Sequence, residues 1–142
     1  DLRRHAGEIS FPGGRRDPGE ELIETALREA EEEIGLPRDH VEIVGALPPV
    51  GTFVTSYKVH PFVGEISPGL SFTPNPSEVE SVIVASLDEL RAGYERRRLV
   101  RRGVPIRTDT YLVGQSTLIW GATARILGLL LERLEDGTRE KR

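Results

Sequence analysis

Apolar residues between positions 20 and 34 recur at Ile23, Ala26, Leu27, Ala30 and Ile34, a spacing that lays one stripe along a helix. Gly35 follows where a left-handed cap is favoured and Pro37 stands just beyond, so the spacing predicts a helix over 20–34. Two-residue alternation takes over at 41–47 "VEIVGAL" and 57–66 "YKVHPFVGEI", and both read as strands. A short strand at 8–11 runs into the breaker cluster Pro12-Gly13-Gly14, and 67–77 reads as a turn-rich loop. Residues 80–85 "ESVIVA" read as a further strand, with Ser86 capping a short helix through 91. The segment 98–107 predicts a hairpin turning at Gly103. A final helix is expected over 115–134, followed by a frayed tail at 135–142. Helices and strands intermix without repeats or a linker, which predicts a single α+β domain.

Composition narrows the classes. A chain of 142 residues with 37% hydrophobic and 30% charged positions fits one folded domain with a real core. The longest apolar run, 126–131 "ILGLLL", is far too short to cross a bilayer, so no membrane partner is expected. The absence of cysteine excludes disulfides, thiolate catalysis and zinc–thiolate sites, and is compatible with the expected cytoplasmic location. A net charge of −4 argues against a nucleic-acid partner, because a phosphate backbone selects basic surfaces. Positive charge is nearly all arginine, with Lys58 and Lys141 the lysines, and the chain has no methionine, so Asp1 is not expected to be the natural start of translation.

The run 26–36 "ALREAEEEIGL" carries the candidate chemistry. Glu29, Glu31, Glu32 and Glu33 crowd one turn with Arg28 to offset them, and like charges three or four residues apart repel by a few tenths of a kcal/mol per pair. On a helical projection Glu29, Glu32 and Glu33 share an arc of about 100° beside the apolar stripe, while Glu31 falls on a solvent face. One reading is a solvated acidic surface. The other is a cation site: carboxylates at i, i+3 and i+4 behind a Gly-rich loop offer hard oxygen ligands suited to Mg²⁺ or Mn²⁺ carrying substrate phosphates.

The spacing resembles a known signature. Gly14, five residues, Glu20, seven residues and Arg28-Glu29-Ala30-Glu31-Glu32-Glu33-Ile34-Gly35-Leu36 match the 23-residue Nudix box, a glycine and a glutamate followed by "REUxEExGU". Ala30 alone departs, standing where a bulkier aliphatic is usual. Around it, "RRHAGEISFPGG" places Arg3, Gly7, Phe11, Pro12, Gly13 and Gly14 at the spacing seen in coenzyme A pyrophosphatases, a Nudix subfamily. The stretches "TFVTSYKVHPFVGEI", "NPSEVESV" and "IWGATARIL" agree in style. The resemblance implies an α/β/α sandwich of α+β class, one Nudix domain over 1–134 with a mixed β-sheet between helices. Such proteins usually carry a strand before the position of Leu2, so the N-terminal strand is expected to be missing here.

The same resemblance implies metal-dependent hydrolysis of a nucleoside diphosphate derivative by water attacking phosphorus. Glu29 and Glu33 are then the expected Mg²⁺ or Mn²⁺ ligands, with Glu32 a further ligand, direct or through water. One of these or a carboxylate outside the box serves as general base. Arg28 is expected to pair with Glu20 and fix the junction of loop and helix. Gly13 and Gly14 let the loop backbone approach metal or phosphate, and Arg3 is the expected reader of a substrate phosphate. The implied substrate is coenzyme A or a derivative, split to 3′,5′-ADP and 4′-phosphopantetheine. The alternatives are another nucleoside diphosphate derivative such as ADP-ribose or NADH, and a nucleotide-sensing module that does not cleave. A homodimer is compatible with either.

Outside the box, Glu78 reads either as an extra base or ligand or as a solvated loop acid. His5 could touch phosphate but reads more simply as a surface residue. His40 and His60 read as structural, Ile119 and Trp120 as core. The arginines from Arg91 to Arg107 read as a solvated hairpin, with an anion site the alternative.

Overall fold

In the computed structural model, which describes residues 8–52 and 57–140, helical and extended segments alternate much as the hydrophobic pattern predicts. Two compact units emerge, one from the chain up to Ala46 together with Phe62–Val84, the other from Leu47–Pro61 and Ala85 onward. No helix among the described residues is long and apolar enough to cross a membrane.

In the first unit, helix α1 (Leu22–Ile34) ends at Gly35, whose φ of 67° is the left-handed cap the sequence predicts. A second constraint acts at Gly35: a Cβ there would sit 3.0 Å from the Thr73 Cβ, so only glycine admits that approach. The stripe residues Ile23, Ala26, Leu27, Ala30 and Ile34 are half-buried, whereas the residue buried outright on α1 is Thr25. A 3₁₀ turn at Arg38–His40 leads into β1 (Val41–Ala46), which pairs antiparallel with β4 (Phe62–Ile66) across a register shift between Ile43 and Gly45.

The second unit holds β2 (Val50–Gly51) paired with β3 (Lys58–Val59), α2 (Leu87–Ala92), the antiparallel sheet β5 (Tyr94–Arg101), β6 (Val104–Val113) and β7 (Thr117–Ile119), and α3 (Gly121–Glu140). Its core joins Val50, Leu90, Tyr111, Val113 and Ile119 with Ala124, Ile126, Leu127 and Leu131 of α3. The buried Thr108 hydroxyl accepts the Gly121 N–H at 2.9 Å, tying β6 to the start of α3. Ser86 caps α2 by accepting the Glu89 N–H at 3.0 Å, as its sequence position predicts.

Several boundaries differ from expectation for local reasons. The single strand expected over 57–66 is broken into β3 and β4 at His60-Pro61, since proline has no N–H to give a ladder. Residues 8–11 and 80–85 form no ladder; alternation specifies an extended chain but not a partner, and Val84 stands 79% exposed. The pairings among the described residues are antiparallel. The last helix starts at Gly121 and not at 115, because 117–119 pair with β6, and it continues past Leu134 to Glu140.

Candidate active site

Glu20 precedes α1 by two residues and fastens the glycine loop to it. Its carboxylate accepts Arg28 Nε at 2.8 Å and Nη2 at 3.0 Å, a forked, charge-assisted contact. The Thr25 hydroxyl donates to the same carboxylate at 2.7 Å and the Asp17 N–H at 3.1 Å. Those donors, Arg28 first and then Thr25 and Asp17, hold the Glu20 carboxyl down to a pKa of about 2. In return the Glu20 carboxylate pushes the Arg28 pKa up beyond its ordinary value. Thr25 falls outside the apolar stripe, on the arc of Glu29, Glu32 and Glu33, and it is buried where it serves this contact.

Arg28 also relieves the acidic crowding of α1. Its Nη1 donates to Glu29 Oε1 at 3.1 Å and to Glu32 Oε2 at 3.2 Å, and its Nη2 donates to the Arg15 carbonyl at 3.1 Å. One guanidinium therefore joins loop and helix and neutralises part of the field of three glutamates. Glu31 lies apart: it is exposed and meets the Arg38 N–H at 3.4 Å, on the face the helical projection gives it.

Both loop glycines meet a glutamate. The Gly13 N–H donates to Glu33 Oε2 at 3.3 Å. At Gly14 the place a Cβ would take lies 2.5 Å from Glu29 Oε1, so the carboxylate rests on bare loop backbone. Burial pushes the Glu33 pKa up to about 7, helped by the charge of Glu29, a hydrogen bond between the two carboxyls and the charge of Glu78, against the lowering effect of the Gly13 N–H. Glu32, with a side chain 53% exposed and turned to Arg28, stands at the rim of this group.

The donor chemistry suits a divalent cation. Glu29 and Glu33, with the Glu32 carboxylate at the rim, form an anionic oxygen cluster against the Gly13-Gly14 backbone. Among the described residues no three His, Cys, Asp or Glu side chains form a ready-made cage. Mg²⁺ seldom uses one; it typically binds one or two carboxylates plus water and substrate phosphates.

The remaining sequence candidates separate. Arg3, Arg4 and His5 lie outside the described residues. His40 and His60 are exposed, Ile119 is buried as expected, and Trp120 is half-buried with the Arg101 guanidinium 4.2 Å above its ring. Within the second unit, Arg96 pairs with Asp109 at 3.2 Å, Arg97 with Glu95 at 3.0 Å and Arg91 with Glu135 at 3.8 Å. These contacts fit the hairpin reading over a prepared anion site. Thr25 is absent from the sequence reading of the site. Its place on the arc of Glu29, Glu32 and Glu33, one turn after Glu20, was the available signal.

Comparison with known proteins supplies the wider context. The family model for the NUDIX domain matches residues 2–103. The chain is similar to three proteins named uncharacterized Nudix hydrolase NudL. That of Photorhabdus laumondii is 41% identical over 137 residues, covering 94% of this chain and 72% of the relative. That of Pectobacterium atrosepticum is 39% identical over 138 residues, covering 96% and 71%. That of Citrobacter koseri is 43% identical over 133 residues, covering 89% and 66%.

Proposed function

The chain belongs to the NUDIX family and is a Nudix pyrophosphohydrolase of α+β fold, and on that premise we propose that it cleaves the pyrophosphate bond of coenzyme A or a CoA derivative. The products are 3′,5′-ADP and a 4′-phosphopantetheine moiety. What supports the chemistry is one observation above the rest: the Glu20–Arg28 fork presses Gly13 and Gly14 onto Glu33 and Glu29, which leaves paired carboxylates beside open loop backbone. What supports the substrate is the stretch "RRHAGEISFPGG", with Arg3 ahead of the loop.

In this reading Glu29 and Glu33 would hold the Mg²⁺ or Mn²⁺, with Glu32 contributing from the rim. A divalent ion held there would supply charge neutralisation for the pyrophosphate and a better water nucleophile near neutral pH. The chain's own residues set the stage. Arg28 holds Glu29 in place through Nη1, the Gly13 N–H orients Glu33 through Oε2, and Glu20 keeps Arg28 from swinging toward solvent. Water adds to one phosphorus, the bridging P–O bond breaks, and the water's proton passes to a carboxylate of this group and on to solvent. Arg3 pairs with the 3′-phosphate of the substrate, where a planar guanidinium fits better than an ammonium.

The test is a panel of CoA, dephospho-CoA, ADP-ribose and NADH with Mg²⁺ and with Mn²⁺, products identified by mass spectrometry. Preferred cleavage of CoA to the two stated products supports the reading. Preference for ADP-ribose or NADH would retain the hydrolase and discard the CoA assignment.

A further inference from the structure

Helix α3 carries a glycine at 128, inside its apolar run, where alanine would make the better helix. The missing side chain keeps a place open: a Cβ there would stand 3.3 Å from the Tyr111 hydroxyl of β6. Tyr111 is only 4% exposed, yet among the described residues its hydroxyl has no hydrogen-bond partner. A buried hydroxyl needs one. Tyr111 and Gly128 both line a cavity of about 330 Å³, shared with Tyr94 and Leu131 and bordered by Arg91, Glu132 and Glu135. That is the small end of the range for ligand pockets, about 300–1,000 Å³.

The floor of the cavity is aromatic. The Tyr94 and Tyr111 rings lie 5.3 Å apart, tilted by 54°. The Tyr94 hydroxyl donates to Asp109 Oδ1 at 2.6 Å, and a phenol polarised by a carboxylate has a more electron-rich ring. Such a ring attracts a cation placed over its face. The rim is acidic. Glu132 and Glu135 stand three residues apart on α3, both exposed. Arg91 offsets Glu135, its Nε 3.8 Å from Oε1, whereas Glu132 has no ion pair among the described residues. Two carboxylates against one guanidinium disfavour a phosphate or carboxylate ligand and favour a positive one.

We propose that this cavity binds a small organic cation, a primary alkylammonium whose charge lies between Glu132 and the tyrosine rings and whose N–H donates to the Tyr111 hydroxyl. Burial first, then the charges of Asp109 and Tyr94, push the Tyr111 pKa up, so the hydroxyl stays neutral and keeps lone pairs for that donor. All these residues belong to the second unit, whereas Glu29 and Glu33 belong to the first, so the site shares no residue with the hydrolytic one.

The test is isothermal titration calorimetry of the purified full chain with putrescine, a short alkyl diamine, beside succinate, a dianion of the same carbon count. One saturable putrescine site per chain is expected, and none for succinate. Glu132→Gln, on an exposed position of α3, and Tyr111→Phe, which keeps the ring, should each raise the putrescine Kd about tenfold, the scale of one charge-assisted contact. Glu80→Gln, an exposed acid of the first unit, should keep the parent Kd. No saturable putrescine binding, equal binding of succinate, or a parent Kd in both cavity variants would overturn the proposal. A loss in Glu80→Gln as large as in Glu132→Gln would reduce it to diffuse attraction by an acidic chain and overturn it too. Binding of the peptide Gly-Lys-Gly in preference to putrescine would replace the small molecule by a lysine of a protein partner.

Discussion

Replacing Gly14 with alanine places a methyl carbon 2.5 Å from Glu29 Oε1, about 0.9 Å inside ordinary contact at 3.4 Å. The loop backbone is held by the Glu20–Arg28 fork, so the freer partner is the far end of the Glu29 side chain, and the carboxylate should give way. Stability should change little: φ at Gly14 is not in the positive region, and alanine restricts the unfolded chain, which offsets the contact by a few tenths of a kcal/mol or more. Catalysis is far less tolerant, because about 1 Å of misplacement at a reacting centre costs on the order of a hundredfold. Gly14→Ala is therefore expected to lose about two orders of magnitude in kcat while the Tm shifts by a few degrees at most. Gly13→Ala is the internal control. Its Cβ would meet nothing nearer than Phe11 O at 4.0 Å, and its N–H to Glu33 Oε2 survives, so turnover should stay within a few-fold of the parent. Steady-state kinetics beside differential scanning calorimetry decides it. Equal losses at both glycines, or a silent Gly14→Ala, would refute the claim that the Glu29 carboxylate must rest on bare loop backbone.

Glu29→Gln and Glu33→Gln should each cut turnover by orders of magnitude with folding intact by circular dichroism, whereas Glu31→Gln, on the solvent face, should be nearly silent. The Glu33 carboxyl, raised from 4.5 to about 7, binds its proton more tightly in the folded chain, so its contribution to metal-free stability is complete below about pH 4.5 and is lost as pH rises through about 7. Thermal melts in EDTA should therefore fall across that window, and Glu33→Gln should flatten the fall; a slope of the opposite sign would contradict the burial argument. Metal-dependent turnover should rise over the same range and on into alkaline pH, since ionised carboxylates are needed. For the substrate, Arg3→Ala should narrow the preference for CoA over dephospho-CoA by about tenfold or more in kcat/KM, the worth of one charge-assisted contact, while Arg97→Ala/Arg98→Ala should leave it unchanged.

Helix α1 was legible because three signals agree on it: the apolar stripe, Gly35 in the cap and Pro37 beyond. The division of the glutamates was legible too, since helical geometry alone puts Glu31 on another face from Glu29 and Glu33. The Glu20–Arg28 pair followed from the resemblance and is met at 2.8 Å. What the sequence hid depends on contacts between distant residues. Nothing local says that Asn75 N will find Glu33 O, or that Thr25 will be buried to serve Glu20. The strand over 80–85 failed for the same reason: Val82, Ile83 and Val84 have strand propensity, but propensity does not supply a ladder partner. At 115–120 the error ran the other way, where pairing of Ile119 with Tyr111 overrode a helical pattern.

Hydrolysis of CoA in H₂¹⁸O with Mg²⁺, followed by mass spectrometry and run on the parent chain beside Glu33→Gln, tests the central claim most directly. The expected result is 3′,5′-ADP and 4′-phosphopantetheine, a single ¹⁸O in one of the two, and a rate lower by orders of magnitude in Glu33→Gln. Intact CoA, release of the 3′-phosphate without scission of the pyrophosphate, or an unchanged rate in Glu33→Gln would contradict it.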